Sequence, residues 1–126
     1  MIGFVMVGTN DLNKAFKFYD VLLEMIELKR AITNEKYAGY SSKKNPENIE
    51  FYVTSPANKE KATYGNGVQV SFVVNSKETV DKFYNLGIKL GGKDEGGPGI
   101  RPSGEYYCYL RDLDGNKICA FAKINN

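Results

Sequence analysis

The chain has 126 residues, about the length of one domain, and its 42% hydrophobic and 25% charged residues are typical of a globular protein. Its net charge of +2 is scattered, whereas binding to nucleic acid requires a concentrated basic surface, so nucleic acid is not an expected partner. The absence of histidine excludes histidine-based nucleophilic catalysis and removes the commonest ligand of transition-metal sites.

The chain opens with a predicted strand, in which alternation places Ile2, Phe4 and Met6 on one face. This apolar stretch is short, has no basic segment before it and meets Asp11 early. We therefore expect neither a signal peptide nor a membrane span, and a cytoplasmic protein.

A helix and three strands follow in the first half. Asn10 and Asp11 offer side-chain oxygens that cap a helix N-terminus. The helix shows three- and four-residue spacing of apolar side chains: Leu12, Ala15, Phe16, Tyr19, Leu22 and Leu23. Extended segments are predicted at 27–31, 37–41 and 49–54. In the last of these, alternation separates Ile49 and Phe51 on an apolar face from Glu50 and Tyr52.

A linker rich in Gly, Pro and Asn, residues 55–67, leads into the second half. There Gln69, Ser71 and Val73 share one strand face, and Asn75 and Ser76 are the next helix cap. The predicted helix uses Val80, Phe83, Tyr84 and Leu86 and stops at Gly87. Further extended segments are predicted at 89–91, 106–111 and 117–122, the last two joined by a hairpin turn at LRDLDGNKI.

The two halves repeat each other. Residues 4–20 read FVMVGTNDLNKAFKFYD, and residues 69–85 read QVSFVVNSKETVDKFYN. The identical pairs are Val5 and Val70, Asn10 and Asn75, Lys17 and Lys82, Phe18 and Phe83, and Tyr19 and Tyr84. The repeat predicts an α+β chain of two duplicated modules, about 1–55 and 66–126, each a strand, a helix and three strands.

One glycine-rich segment imitates a phosphate-binding loop. GIKLGGKD, residues 87–94, has Asp94 where that pattern requires Ser or Thr. It also follows a predicted helix, whereas a phosphate loop precedes one. Nucleotide binding is therefore not expected.

A second glycine-rich segment, GGPGIRPSG at residues 96–104, places Arg101 just before the aromatic residues Tyr106, Tyr107 and Tyr109. Two interpretations stay open. The segment is either a mobile surface loop or a loop that closes over a small bound anion.

The two cysteines, Cys108 and Cys119, flank the hairpin turn in positions that would let them face each other. Because no secretory signal is apparent, we expect both to stay reduced.

The duplicated unit, the Asn-Asp-Leu and Phe-Tyr signatures and RDLDGNKICAF together resemble the vicinal oxygen chelate superfamily, which includes glyoxalase I, bleomycin-resistance proteins and extradiol dioxygenases. The resemblance covers essentially the whole chain. It implies a single domain of two βαβββ modules that form an open barrel around a cavity, and it implies a homodimer.

Metalloenzymes of that superfamily carry His or Glu ligands on the first and last strands of each module. The resemblance places Phe4, Glu50, Gln69 and Cys119 at these positions. This set lacks the three or four donors of a metal centre, so no metal and no other cofactor is expected.

Three functions remain open: a metal-free protein that binds a small organic molecule, a glyoxalase-type lyase or other enzyme with an atypical site, and a dimeric ligand-sensing or interaction module. Glu50 is the best catalytic candidate. Arg101 or Arg111 would pair with it if it is buried, and nearby aromatic residues would suit a flat or cationic guest. The residues expected to bind the ligand are Phe4, Met6, Glu50, Tyr52, Gln69, Ser71, Arg101, Tyr107, Tyr109 and Cys119.

Overall fold

The computed structural model describes residues 1–124, and two helices and eight strands lie within that range. In chain order they are β1 (Val5–Gly8), α1 (Leu12–Glu24), β2 (Leu28–Thr33), β3 (Tyr37–Ser42), β4 (Ile49–Thr54), β5 (Val70–Val74), α2 (Lys77–Lys89), β6 (Lys93–Ile100), β7 (Tyr106–Arg111) and β8 (Lys117–Ala122). Each half is a strand, a helix and three strands, which confirms the predicted α+β class and the two βαβββ modules. Neither helix is long and apolar enough to cross a membrane.

The chain divides into two compact units, Met1–Tyr64 and Gly65–Asn126. The division falls inside the predicted linker, most of which belongs to the first unit. Asn10 holds it there, because its Oδ1 accepts a hydrogen bond from the Ala62 N–H (2.8 Å) and its Nδ2 donates to the Ala62 carbonyl (3.3 Å). The helix cap itself is Asp11, whose carboxylate accepts from the Lys14 N–H. The single domain with an open barrel around a cavity stays a prediction.

The first unit is a four-stranded sheet with the order β1-β4-β3-β2, in which β1 runs parallel to β4 and the other pairs are antiparallel. Helix α1 packs on one face of this sheet, where Tyr19 contacts Phe51 with ring centroids 5.1 Å apart. Phe18 is buried, although the spacing pointed to Phe16. Phe16 is instead half-buried, and the Arg30 guanidinium lies over its ring, 4.6 Å from the ring centroid. Phe16 therefore packs against a cation and not in the core.

The second unit repeats this arrangement with the sheet order β5-β8-β7-β6. Ser76 caps α2, as predicted, by accepting from the Thr79 N–H. The helix packs through Phe83 against Phe72 and through the Val80 carbonyl, which accepts a hydrogen bond from the Cys108 thiol.

The predicted helix stop at Gly87 is wrong, because α2 continues to Lys89. Gly87 is buried and packs directly against Leu110, so a glycine serves here for close approach rather than termination. Beyond the C-cap Leu90, Gly91 has a φ of 103°, the left-handed conformation that favours glycine, and it turns the chain out of the helix. The Gly92 N–H bonds to the Gly87 carbonyl and the Gly91 N–H to the Ile88 carbonyl, which is the Schellman arrangement.

The strand predicted at 89–91 is also wrong, since those residues end the helix and begin a turn. The strand is β6, and it includes Gly96, Gly97 and Gly99 of the segment that was expected to be a loop. Two register shifts in its pairing with β7 accommodate this glycine-rich sequence. Only the turn from Arg101 to Glu105 remains outside the strands.

The predicted faces of β4 need one correction. The pairing with β3 shifts between Tyr40 and Ser41, so that Phe51 pairs with Tyr40 and Ile49 pairs with Ser41, with Glu50 as the extra residue. A bulge of this kind breaks strict alternation. Ile49 therefore lies on the same face as Tyr52, and not on the face of Phe51 as the alternation predicted.

The cysteines do not face each other. Cys108 pairs with Ala120 and Cys119 pairs with Tyr109, which places the two side chains on opposite faces of the β7–β8 hairpin. Both are buried and free.

Candidate functional site

The sheet face that turns away from the helix carries predicted ligand residues in each unit. In the first unit these are Phe4, Met6 and Tyr52, with Glu50 at the bulge; in the second they are Gln69, Ser71, Arg101, Tyr107, Tyr109 and Cys119. Because strand side chains alternate, this face can be identified from the residues that contact the helix.

Aromatic side chains form the first unit's face. The Tyr52 ring contacts Phe4 at 4.9 Å and Tyr37 at 5.5 Å between centroids, both edge to face. Met6 pairs with Tyr52 across β1 and β4 and is 49% exposed. The structure thus brings together Phe4, Met6 and Tyr52, as the sequence predicted, although Phe4 lies just before β1.

Gly39 makes close packing possible on this face. A Cβ atom at this position would lie 2.7 Å from Ile32, 2.8 Å from Ile49 and 2.8 Å from the Tyr52 ring. Non-bonded carbon atoms in proteins essentially never approach this closely. Gly39 therefore leaves the space in which the Tyr52 ring packs against this part of the sheet.

Glu50 is exposed, and its side chain makes no hydrogen bond or ion pair within residues 1–124. An exposed carboxylate is solvated by water, so Glu50 needs no internal partner in the chain as described. Arg111, one of the two arginines considered for that role, pairs with Glu95 of its own unit at 3.1 Å. The catalytic assignment of Glu50 stays a prediction.

The second unit's face carries a row of three stacked rings. Tyr107 lies in the middle, with its centroid 5.9 Å from Tyr109 at an interplanar angle of 8° and 5.1 Å from Phe121 at 14°. We call Tyr107, Tyr109 and Phe121 the aromatic row. All three rings are part-buried. They lie on the sheet face that turns away from α2, because Cys108, between Tyr107 and Tyr109 on β7, contacts that helix and Phe121 pairs with Tyr107.

Two cations lie against the end of the aromatic row. The Arg101 guanidinium carbon is 5.3 Å from the centroid of Tyr109, and the Lys117 ammonium nitrogen is 5.0 Å from the same ring. Both distances are within the range of cation–π attraction. Burial raises the pKa of the Tyr109 hydroxyl, so this ring stays neutral beneath its two cations at physiological pH.

A small polar group adjoins the row. Ser71 pairs with Cys119 across β5 and β8, and its hydroxyl accepts a hydrogen bond from the Gln69 amide at 2.9 Å. Burial raises the pKa of the Cys119 thiol against the opposing influence of Ser71, Lys117 and Arg101. The thiol is therefore neutral near pH 7, as a structural cysteine is, rather than an activated thiolate.

The residues at the superfamily's metal-ligand positions do not fit a metal. Phe4 has no donor atom, the Gln69 amide already donates to Ser71, and Cys119 is a buried, neutral thiol. Glu50 alone is a ready oxygen ligand. Within residues 1–124 no three His, Cys, Asp or Glu side chains group in a way that could hold a metal ion. The donor set thus lacks the number and type of ligands that a transition-metal centre requires.

The first unit also has a surface cavity of about 580 Å³ near the end of β2, away from the predicted ligand residues. It is lined by Glu24, Lys29, Arg30, Ala31, Ser41, Ser42, Lys43 and Pro46. Its charges are largely paired internally, because Lys43 contacts Glu24 and Glu27 while Arg30 pairs with Asp20 at 2.9 Å. This cavity therefore offers a ligand little unpaired charge.

Sequence reasoning missed Phe121 and Lys117, which complete the second unit's face. Both lie two residues from Cys119 on β8, so alternation from that one predicted position would have found them. What the sequence does not reveal is that Phe121 stacks on Tyr107, because this contact depends on the β7–β8 register.

Comparison with known proteins matches residues 1–120 to the Glyoxalase/Bleomycin resistance protein/Dioxygenase superfamily. Among solved structures, a glyoxalase/bleomycin resistance protein from Albidiferax ferrireducens T118 is similar at 42% identity and a TM-score of 0.88, over 98% of this chain and 99% of that one. A lactoylglutathione lyase from Agrobacterium tumefaciens shares the fold at 18% identity and a TM-score of 0.70, over 97% and 92%. A search of curated proteins gave no match.

Proposed function

The chain belongs to the glyoxalase/bleomycin resistance protein/dioxygenase superfamily, and we propose that it is a metal-free member that binds a small organic molecule. The aromatic row of the second unit is the proposed contact surface. The observation that supports this most directly is the stacking of Tyr107, Tyr109 and Phe121 on a sheet face that the helix leaves uncovered.

The chemistry of the row suits a flat guest. The three rings stack on one another within 14° of parallel and form a continuous apolar surface, and such a surface attracts flat aromatic molecules through edge-to-face or offset-stacked contacts. Ser71 and Gln69 add hydroxyl and amide groups beside this surface. An apolar lining with a few fixed polar groups is the usual composition of a small-molecule site.

Binding is favoured over metal-dependent lyase or dioxygenase chemistry by the donor set. Phe4 and Gln69 occupy positions where the superfamily's metalloenzymes carry His or Glu. These two residues therefore do not supply the ligands that metal-dependent catalysis in those enzymes requires. The neutral Cys119 thiol is also a poor nucleophile.

The test is a titration of the whole protein with 2-naphthamide, a flat, uncharged probe, followed by amide chemical shifts in solution NMR. We expect saturable binding with the largest shifts at Tyr107, Tyr109 and Phe121. Tyr107→Ala removes the central ring and should weaken binding about fivefold or more, since stacking of a flat ring on an aromatic side chain contributes roughly 1 to 3 kcal/mol.

Tyr64→Ala is the matched control, because Tyr64 is 55% exposed and lies outside both sheets. It should leave the affinity for 2-naphthamide unchanged. Saturable shifts confined to other segments, or equal loss of affinity in the two variants, would contradict the proposal. Mass spectrometry of small molecules released from the purified protein on denaturation gives the natural ligand directly.

A further inference from the structure

Arg101 is fixed above the aromatic row by contacts on two sides. Its Nη2 donates a hydrogen bond of 2.6 Å to the Gly97 carbonyl, and its guanidinium lies over the Tyr109 ring. The backbone around it forms a closed turn, in which the Arg101 N–H donates to the Glu105 carbonyl and the Gly104 N–H donates to the Arg101 carbonyl. Arg101 is therefore held in place rather than extended into solvent.

Glycines in β6 create the space that the guanidinium occupies. A Cβ atom at Gly99 would lie 2.8 Å from the Arg101 Nη1, and one at Gly96 would lie 3.2 Å from Nη2 and 2.8 Å from the Tyr109 ring. At Gly97, by contrast, an added Cβ would meet nothing within 4 Å. The two glycines that lack space for a side chain are thus those beneath Arg101.

The charge of this arrangement is not neutralised within the described part of the chain. Neither Arg101 nor Lys117 forms an ion pair in residues 1–124, whereas Arg30 pairs with Asp20 and Arg111 with Glu95. Two positive charges therefore meet at the ring of Tyr109 without an acidic partner.

A fixed guanidinium with free N–H donors is well matched to an oxyanion such as a carboxylate, sulfonate or phosphate, which it binds through paired hydrogen bonds. The adjacent rings would cover the flat part of the same molecule. We propose that Arg101 and Lys117 make the aromatic row selective for flat organic anions. This inference rests on the proposed function and adds the charge of the ligand to it.

Three probes of nearly equal shape test the selectivity at neutral pH: 2-naphthoate, 2-naphthamide and 2-naphthylmethylammonium. Isothermal titration calorimetry on the whole protein should give about tenfold tighter binding for naphthoate than for naphthamide, and the weakest binding for the cation. Arg101→Gln should remove the advantage of naphthoate over naphthamide. Lys117→Gln should reduce that advantage about threefold.

Arg30→Gln is the matched control, since Arg30 also lies on a ring but already has Asp20 as its partner. It removes the same charge and should leave all three affinities unchanged. Amide spectra of each variant establish that it is folded before its affinities are compared.

The outcomes separate this inference from the proposed function. Equal binding of naphthoate and naphthamide, or equal loss of naphthoate affinity in Arg101→Gln and Arg30→Gln, overturns anion selectivity and leaves small-molecule binding intact. Failure of every naphthyl probe to bind the wild type overturns both. If the row's amide signals respond to protein concentration and to no probe, a second copy of the chain covers the face, and both proposals are again overturned.

Discussion

Cys108 and Cys119 lie on neighbouring strands but have different surroundings. The Cys108 thiol packs against α2 and donates to the Val80 carbonyl at 3.7 Å, while Cys119 lies on the other face beside Ser71. Burial raises the pKa of the Cys108 thiol from its usual 9.0 to about 12. The residue therefore links folding stability to pH at the alkaline end.

The unfolded chain ionises Cys108 near its usual pKa, whereas the folded chain does not until about pH 12, so stability is full below pH 9 and falls as the pH rises. Between pH 9 and pH 11 we expect this thiol to lower the free energy of unfolding by about 1 kcal/mol for each pH unit. Urea unfolding across that range should show a shallower pH dependence for Cys108→Ala than for the wild type. Parallel curves would contradict the assignment.

A second prediction at the residue scale concerns metals. Because Phe4 and Gln69 replace ligands and Cys119 is neutral, we expect zinc, nickel and manganese to leave the melting temperature of the reduced protein unchanged. Elemental analysis of protein purified without chelator provides the independent check. One tightly held metal ion per chain would contradict this prediction and the ligand assignment on which it rests.

At the scale of elements, the sequence predicts regular segments well and glycine-rich ones poorly. The spacing of apolar residues and the capping residues predict both helices and the strands β3, β4, β7 and β8. In these elements the side chains determine which face is buried. Strand β6 was missed, since KDEGGPGI has no alternating apolar pattern and its pairing with β7 shifts register twice. The bulge at Glu50 was missed for a related reason, because register depends on the neighbouring strand rather than on local sequence.

The same glycines allow a test that separates binding from stability. Gly99→Ala introduces a Cβ atom 2.8 Å from the flexible end of Arg101, so the side chain can move away at little cost to folding. We expect a change in melting temperature of no more than a few degrees and a loss of naphthoate affinity of about fivefold or more, because the guanidinium leaves its position over Tyr109. Calorimetry with 2-naphthoate measures the second effect.

Gly97→Ala is the control, since its added Cβ meets no atom within 4 Å and its carbonyl remains available to Arg101. This variant should bind naphthoate like the wild type. Equal affinities for the Gly97 and Gly99 variants would show that the space beneath Arg101 does not determine how it binds.

At the scale of the whole molecule, each sheet has two edge strands: β1 and β2 in the first unit, and β5 and β6 in the second. Several carry exposed apolar side chains, including Met6 at 49% and Val73 at 64% exposure. Uncovered edges with apolar side chains favour association, and symmetric dimers are its commonest form. We therefore predict a homodimer, in agreement with what the superfamily resemblance implies.

Light scattering from micromolar to submillimolar concentration should give a mass twice that of the chain. Met6→Lys and Val73→Lys place a charge on β1 and β5 and should increase the monomer fraction where the edge is part of the interface, because an unpaired charge is costly to bury. Ile88→Lys, at a position of α2 that is 38% exposed, adds the same charge on a helix instead of a sheet edge and should leave the mass unchanged. A wild type that scatters as a single chain at every concentration would contradict the dimer, and equal dissociation by all three variants would indicate a general effect of charge rather than an interface at the sheet edges.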